Sequence, residues 1–395
     1  MKPSRIDEMI RRQEGLTVLN RQALEAVQLK KLNDLLAREQ ARQGFYVNLP
    51  SRLDSLGGLS TLPFTTEEDL ARRGNAMVLV SQSHIQRVLS DATSGTTGTP
   101  KRVFYTPADC RNTIKLYKAG LGELVFPGSK TMSCMPFSGP FGLGELIAAA
   151  IEELGAIPLK VGVGQTFGQL KEILDTQRPD TYVGIPGQLC AMLTALGKGS
   201  LERCLVSADA CPASMTARME SILGTKLYPH YGSREMGMAG AITCPAHQGM
   251  HLRENHIIAE IVNEKGLPLP PGETGELVIT TIGMEAQPLI RYRTGDFTRI
   301  LPEPCPCGSC TLRLDALHRR GEAGAILPLD EALFALPGLV DAHIRREGDG
   351  LHITALTLPG FDENTVRQAV PGAAVQCREV TLSDRPLYLG KRRIE

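Results

Sequence analysis

TMSCMPFSGPFGLGELIAAAIEELGAIPLKVGV, residues 131–163, reads as a strand, a helix and a second strand. Thr131–Phe137 and Ile157–Val163 are short β-like runs, and Leu143–Leu154 between them carries a helical pattern. The alternation continues through Thr181–Ile185, a helix over Pro186–Leu196, and Cys204–Ala208. Strands interleaved with helices from about residue 87 to 295 imply a layered α/β class with substantial parallel sheet. Beyond about residue 240 the runs Ile257–Val262 and Glu276–Thr281 are strand-like and broken by Gly and Pro, which predicts an antiparallel subdomain.

Working outward, residues 20–43 form an amphipathic helix with Leu24, Val27, Leu29, Leu32, Leu35 and Leu36 on one broad face, and Gly44 is placed to end it. Thr66 followed by Glu67 and Glu68 is a cap with acids in a first helical turn. The tail has a plan of its own. Helices over Leu329–Leu336 and Asp362–Ala369 alternate with strands Val340–Arg345, Leu351–Leu358 and Ala374–Leu382. The expectation is two domains, a large one over 1–316 and a small α+β lid over 317–395.

The 395 residues exceed one typical core. Lys plus Arg total 43 and Asp plus Glu total 43, a balance that argues against a general nucleic-acid binder. No apolar run approaches the roughly 18 residues of a membrane span, and the charged N-terminus lacks a signal-peptide core, so a cytoplasmic protein is expected. Ten cysteines in a chain this long are free thiols or metal ligands in a reducing compartment.

The sharpest local signal is Thr93-Ser94-Gly95-Thr96-Thr97-Gly98-Thr99-Pro100-Lys101. Gly95 and Gly98 let consecutive N–H groups point into one concavity suited to anionic oxygens. Ser94, Thr96, Thr97 and Thr99 add hydroxyl donors and Lys101 adds a positive charge. The loop lacks the Gly-Lys-Ser/Thr ending of a Walker sequence.

This string resembles the phosphate-binding signature of the adenylate-forming superfamily, and Leu62–Thr66 with Phe104–Thr106 resembles its phenylacetate-CoA ligase branch. Further motifs follow in the family's order along nearly the whole chain. Tyr231-Gly232-Ser233-Arg234-Glu235 is similar to the element whose aromatic ring lies against adenine and whose Glu helps hold Mg²⁺, an ion that wants oxygen ligands. Ser207-Ala208-Asp209 stands where the family has Gly-Ala-Glu or Gly-Gly-Glu beside adenine, a departure in its first and last residues. Tyr292-Arg293-Thr294-Gly295-Asp296 resembles the motif whose Asp accepts bonds from the ribose hydroxyls. Lys391 in Gly390-Lys391 matches the mobile lysine that meets the carboxylate and phosphate oxygens during adenylation. Leu317–Glu322 occupies the hinge, with Arg320 as the ribose- and phosphate-facing Arg; the family's acidic hinge residue is absent, and Glu322 is the substitute.

Cys305-Pro306-Cys307 presents two thiols, with Cys310 nearby and Cys244, His247 and His251 upstream, a donor set suited to tetrahedral Zn²⁺. The resemblance selects Cys244, His251, Cys305 and Cys307 as a structural zinc site, with His247 and Cys310 in reserve. It also places the acyl pocket around Phe137, Ser138, Gly139, Phe141 and Gly142, beside Gly184 and Pro186, where apolar walls with Gly gaps favour a small aryl or arylacetic acid.

The resemblance implies an AMP-forming acid–thiol ligase. Mg²⁺·ATP and a carboxylate give an acyl-adenylate, and coenzyme A then displaces AMP, with Lys391, Thr97 and Glu235 as catalytic groups. A carrier-protein thiol, a protein thiol or an amine as acceptor stays open, as do a homodimer and a non-catalytic nucleotide-binding relative. Nucleic-acid and membrane partners are not expected.

Overall fold

The computed structural model describes residues 4–91, 101–319 and 324–395. The chain forms two compact units, Met1–Glu123 with Tyr231–Leu317, and Leu124–His230 with His318–Glu395.

In the second unit the alternation read from residues 131–163 becomes a parallel sheet. Its strand order is Ile157–Lys160, Lys130–Cys134, Thr181–Gly184, Arg203–Val206 and Tyr228–Tyr231. The helices Leu143–Glu153, Phe167–Gln177, Pro186–Leu196 and Ala213–Leu223 connect them. Their starts follow local chemistry: Thr166 and Gln169 form a capping box, and Pro186 occupies the first turn of its helix. Met132, Tyr182, Leu189, Met192, Cys204, Met215 and Met219 form one buried core, which Phe334, Val340 and Leu356 from the C-terminal segment join.

The strand order reverses beside Lys130–Cys134. The chain first leaves this strand to one side, for Ile157–Lys160, and then returns to the other side as Thr181–Gly184. In an open parallel sheet such a switch point opens a crevice at the carboxyl ends of the strands. Cys134 pairs with Gly184 there, so the segments after both strands leave from the same edge.

The C-terminal segment has the expected plan. Helix Ile326–Phe334 precedes the antiparallel hairpin Leu339–Glu347 and Gly350–Thr357, and helix Glu363–Ala369 leads to Ala374–Glu379, parallel to the second hairpin strand. Leu333, Leu339, Ala342, Ile344, Ile353, Ala355 and Val366 bury its own cluster.

The first unit holds the antiparallel portion. Ile258–Val262, Gly275–Thr280 and Tyr292–Thr298 are neighbouring antiparallel strands, as are Ala241–Thr243, Met250–Leu252 and Arg313–Leu314. The early helix spans Arg21–Arg42, capped by Asn20, with Leu32, Leu35 and Leu36 in the core. Its end differs from the expectation in one residue. Gln43 (φ 51°) takes the left-handed conformation, whereas Gly44 supplies room: a Cβ there would lie 2.2 Å from the Glu39 carboxylate. Helix Glu67–Arg73 begins at Thr66 with a capping box to Asp69. Among the described residues no helix is long and apolar enough to cross a membrane.

Candidate functional site

Lys101 opens the strand Lys101–Tyr105, which pairs with Arg87–Asp91. Its Nζ lies 2.7 Å from Glu235 Oε1 and 3.1 Å from Glu67 Oε1. Burial alone would lower the pKa of Lys101, but the two carboxylates outweigh it and hold the ammonium above its ordinary value. Glu235 is the mirror case. Burial would raise it, the Lys101 charge overrides that, and the carboxyl stays below the usual range.

The turn Arg234–Met236 that carries Glu235 is fixed by its neighbours. Tyr105 OH donates to the Arg234 carbonyl at 2.6 Å, and Thr113 Oγ1 donates to the Gly237 carbonyl at 2.6 Å. Four residues before Glu235, past Gly232 and Ser233, Tyr231 OH donates to Asp296 Oδ2 at 2.8 Å. Lys101, Tyr231, Glu235 and Asp296 therefore belong to one neighbourhood of a single unit.

Asp296 owes its position to Arg291 and Gly295. The Arg291 guanidinium is fully buried, forms a two-pronged pair with Glu260 at 3.0 Å, donates to the Ser60 and Leu62 carbonyls, and lies 4.1 Å from the Phe64 ring centre. Thr65 clamps the same strand by exchanging backbone bonds with Arg291 and Arg293. Gly295 (φ 71°) then turns the chain so that Asp296 meets Tyr231. The Leu62–Thr66 segment thus buttresses the Tyr292–Asp296 strand.

At the switch point in the other unit, Phe137 and Phe141 are half-buried, Ser138 and Gly139 are exposed, and Gly142, Gly184 and Pro186 are buried. Phe141 (φ 62°) and Ala208 (φ 74°) hold left-handed backbones that non-glycine residues adopt at a cost. Both flank the carboxyl ends of the sheet. Asp209 lies at the same edge; burial pushes its carboxyl up to about 6, against lowering bonds from the Arg392 and Ala210 N–H groups and the nearby Lys391 charge. Arg392 N donates to Asp209 Oδ2 at 2.8 Å, so Lys391 is held next to the Ser207–Asp209 segment.

Behind that segment, Ser207 Oγ bonds His230 Nδ1 at 2.8 Å, and burial lowers the His230 pKa to about 3. The imidazole is neutral in the fold, whereas the unfolded chain takes up a proton near pH 6.5. Its contribution to stability is complete above pH 6.5 and is lost as the pH falls toward 3, by about 1.4 kcal/mol per unit. Thermal melting from pH 7 to pH 5 should show a falling Tm, and His230→Gln should flatten that fall.

A third group lies in the first unit. Ligand atoms of Cys244, His251, Cys305 and Cys307 are all within 4.8 Å of one another. Cys244 Sγ is 3.7 Å from Cys305 Sγ, and Cys307 Sγ is 3.4 Å from His251 Nε2. Burial raises the Cys244 and Cys307 thiols above their ordinary range, so a nearby cation is what would favour their thiolates. His251 Nδ1 bonds Thr311 Oγ1 at 2.8 Å, Thr311 Oγ1 bonds Ser309 Oγ at 2.8 Å, and Ser309 donates to Asp7. This second layer turns Nε2 toward the sulfurs. Cys310 and His247 stand outside the group, and the Cys310 N–H is bonded to Asp7.

The AMP-binding enzyme family matches residues 89–285. The chain is 30% identical over 366 residues to phenylacetate-coenzyme A ligase of Thermus thermophilus, covering 85% of this chain and 81% of the relative. The chain belongs to the AMP-binding enzyme family, on its phenylacetate-CoA ligase branch. Against phenylacetate-coenzyme A ligase of Escherichia coli the identity is 34% over 266 residues, spanning 64% of this chain and 60% of that one. A crystal structure of 2-hydroxyisobutyryl-CoA ligase in the postadenylation state superposes with a TM-score of 0.77 at 20% identity, covering 95% of this chain and 90% of the other. That likeness shows the fold.

Of the family motifs, Ser94, Gly95, Thr96, Thr97, Gly98, Thr99 and Arg320 lie outside the described residues. Sequence reasoning missed Arg392, Thr311 and Arg291 as supports. Thr311 carried no signal, and Arg392 reads as one residue of a basic tail. Arg291 was visible only as the residue preceding a family motif.

Proposed function

We propose that this AMP-forming acid–thiol ligase activates a small aryl or arylacetic carboxylate and transfers it to coenzyme A. The observation carrying the reading is the edge at the switch point, where the Phe137–Gly142 and Gly184–Pro186 segments and Asp209 follow strands of one sheet and the residue after Lys391 donates its N–H to Asp209. An apolar Gly-gapped segment at that edge suits an aromatic acid. The phenylacetate-coenzyme A ligases among the relatives agree with that class.

In the first half-reaction the carboxylate attacks the α-phosphorus of ATP, an acyl–O–P bond forms, and pyrophosphate leaves. Charge grows on the phosphate oxygens, and the Lys391 ammonium stabilises it. The resemblance assigns phosphate binding to the Ser94–Lys101 loop, with Thr97 as a catalytic donor, and to Arg320. The family motifs assign adenine to the Tyr231 and Ala208 positions and the ribose hydroxyls to the Asp296 carboxylate. Glu235 is a hard oxygen donor that the Lys101 charge holds ionised, so it fits the role of Mg²⁺ ligand; the ion would shield phosphate charge when bound. The lid, residues 317–395, then turns about the Leu317–Glu322 hinge, and the coenzyme A thiolate attacks the acyl carbonyl and releases AMP.

Cys244, His251, Cys305 and Cys307 would hold a structural Zn²⁺, since two sulfurs already face each other and one sulfur faces the imidazole nitrogen. All of this chemistry suits a cytoplasmic enzyme.

The test is acid-dependent ATP–pyrophosphate exchange over a panel of benzoic, phenylacetic, short aliphatic and hydroxy acids. Exchange that is highest with aryl acids, followed by AMP release on adding coenzyme A, is expected. No exchange with any acid, from folded protein that binds ATP, would overturn the ligase reading. AMP release that requires a partner protein or an amine instead would redirect only the acceptor.

A further inference from the structure

The C-terminal segment carries Lys391-Arg392-Arg393, yet Arg392 is no surface cation: its side chain is 3% exposed. Nε and Nη2 donate to the two carboxylate oxygens of Asp330, each at 2.8 Å. Nη1 donates to Asp341 Oδ1 at 2.7 Å, and Nη2 also donates to the Ala342 carbonyl at 2.7 Å. The guanidinium carbon lies 4.8 Å from the Phe334 ring centre and 4.5 Å from that of Tyr388. Four of its five N–H donors are used, in a fork geometry that a lysine lacks. Asp341 ties down the other end of the segment, since its Oδ2 accepts from Leu387 N at 2.7 Å. Gly187 leaves room for the fit: a Cβ there would lie 3.3 Å from Arg392 Cδ.

We infer that the Asp330–Arg392–Asp341 cluster is a positioning device that sets the Lys391 backbone for adenylation; this rests on the reading of Lys391 given above. Two carboxylates around one guanidinium are an expensive way to gain stability, because apolar residues of equal volume do as well. What the cluster does provide is direction. The flanking residue is pinned on its side chain by two elements and on its N–H by Asp209, which restricts the backbone from which the Lys391 side chain projects. An ammonium that must meet a developing charge benefits from that restriction, and displacement by about 1 Å costs up to about 100-fold in rate.

Asp330→Asn keeps the shape of the cluster and removes one charge, and Arg392→Lys keeps the charge and removes the fork. Each variant, with Lys391→Ala as reference, is compared in exchange using the panel acid with the highest rate, and in thioester formation from supplied acyl-adenylate and coenzyme A. Circular dichroism and melting report folding. The inference expects exchange kcat to fall about 10- to 100-fold in both variants with KM for ATP little changed. Thioester formation should hold, and adding Asp330→Asn to Lys391→Ala should cost nothing more. Full exchange in both folded variants, or an equal fall of both half-reactions in step with Tm, would overturn it while leaving the Lys391 reading intact. Undiminished exchange in Lys391→Ala would instead remove that reading, and the positioning role with it.

Discussion

Lys391→Ala lowers acid-dependent ATP–pyrophosphate exchange by about 10²- to 10³-fold, the usual cost of removing one charge-stabilising group from a transition state. The reason is the direction of charge flow. A carboxylate anion approaches an already anionic phosphate, so the barrier is dominated by repulsion that a placed ammonium cancels. The segment carrying Lys391 is fixed by the Arg392 bonds to Asp209, Asp330 and Asp341, so the alanine variant should fold and melt as the parent does. Thioester formation from supplied acyl-adenylate involves attack on a carbonyl with AMP as leaving group, and should change by less than about threefold. Exchange at the parent rate would show that Lys391 is a solvated tail residue.

Cys305→Ser should produce the largest loss of stability. The parent should carry one zinc per chain by elemental analysis, and the variant should retain about a tenth or less. Loss of a structural metal belongs to the few single changes that cost about 4–5 kcal/mol or more. For a unit of this size each kcal/mol shifts Tm by about 2–4 °C, so a fall of roughly 10 °C is expected. Cys305 is buried 3.7 Å from Cys244, so without a cation two thiols share a site from which water is largely excluded. Thr311→Ala is the milder companion. It frees His251 Nδ1 and should weaken zinc about 10- to 100-fold without removing a ligand. A parent free of zinc, with melting insensitive to chelators, would refute the metal site.

The α/β class was legible because hydrophobic runs of strand and helix length alternate, and each element reports on its own neighbours in sequence. Thr66 and Asp362 made helix starts readable for the same local reason. The end of the early helix was legible to within one residue, because Gly44 serves space and Gln43 serves backbone conformation, a division visible only once Glu39 is in place. The motif residues Lys101, Tyr231, Glu235 and Asp296 were readable as identities, whereas their pairing was not. Tyr231 reaches Asp296 across 65 residues, after Arg291 and Gly295 have shaped the intervening strand.

By itself, then, the sequence determined the kinds of elements, their order and the contiguous chemical motifs, since these depend on side chains a few positions apart. Tertiary structure alone decided which distant groups meet. Cys244 faces Cys305 61 residues on, and Arg392 becomes a buried anchor because Asp330, 62 residues earlier, is carried to it by a folded helix. Strand order, which no short stretch encodes, put the segments after Lys130–Cys134, Thr181–Gly184 and Arg203–Val206 on one edge of the sheet, and the Arg392 N–H bond to Asp209 brought the Lys391 segment there. Desolvation at those meeting points raises the Asp209 carboxyl and keeps His230 neutral, whereas at Glu235 the Lys101 charge overrides it.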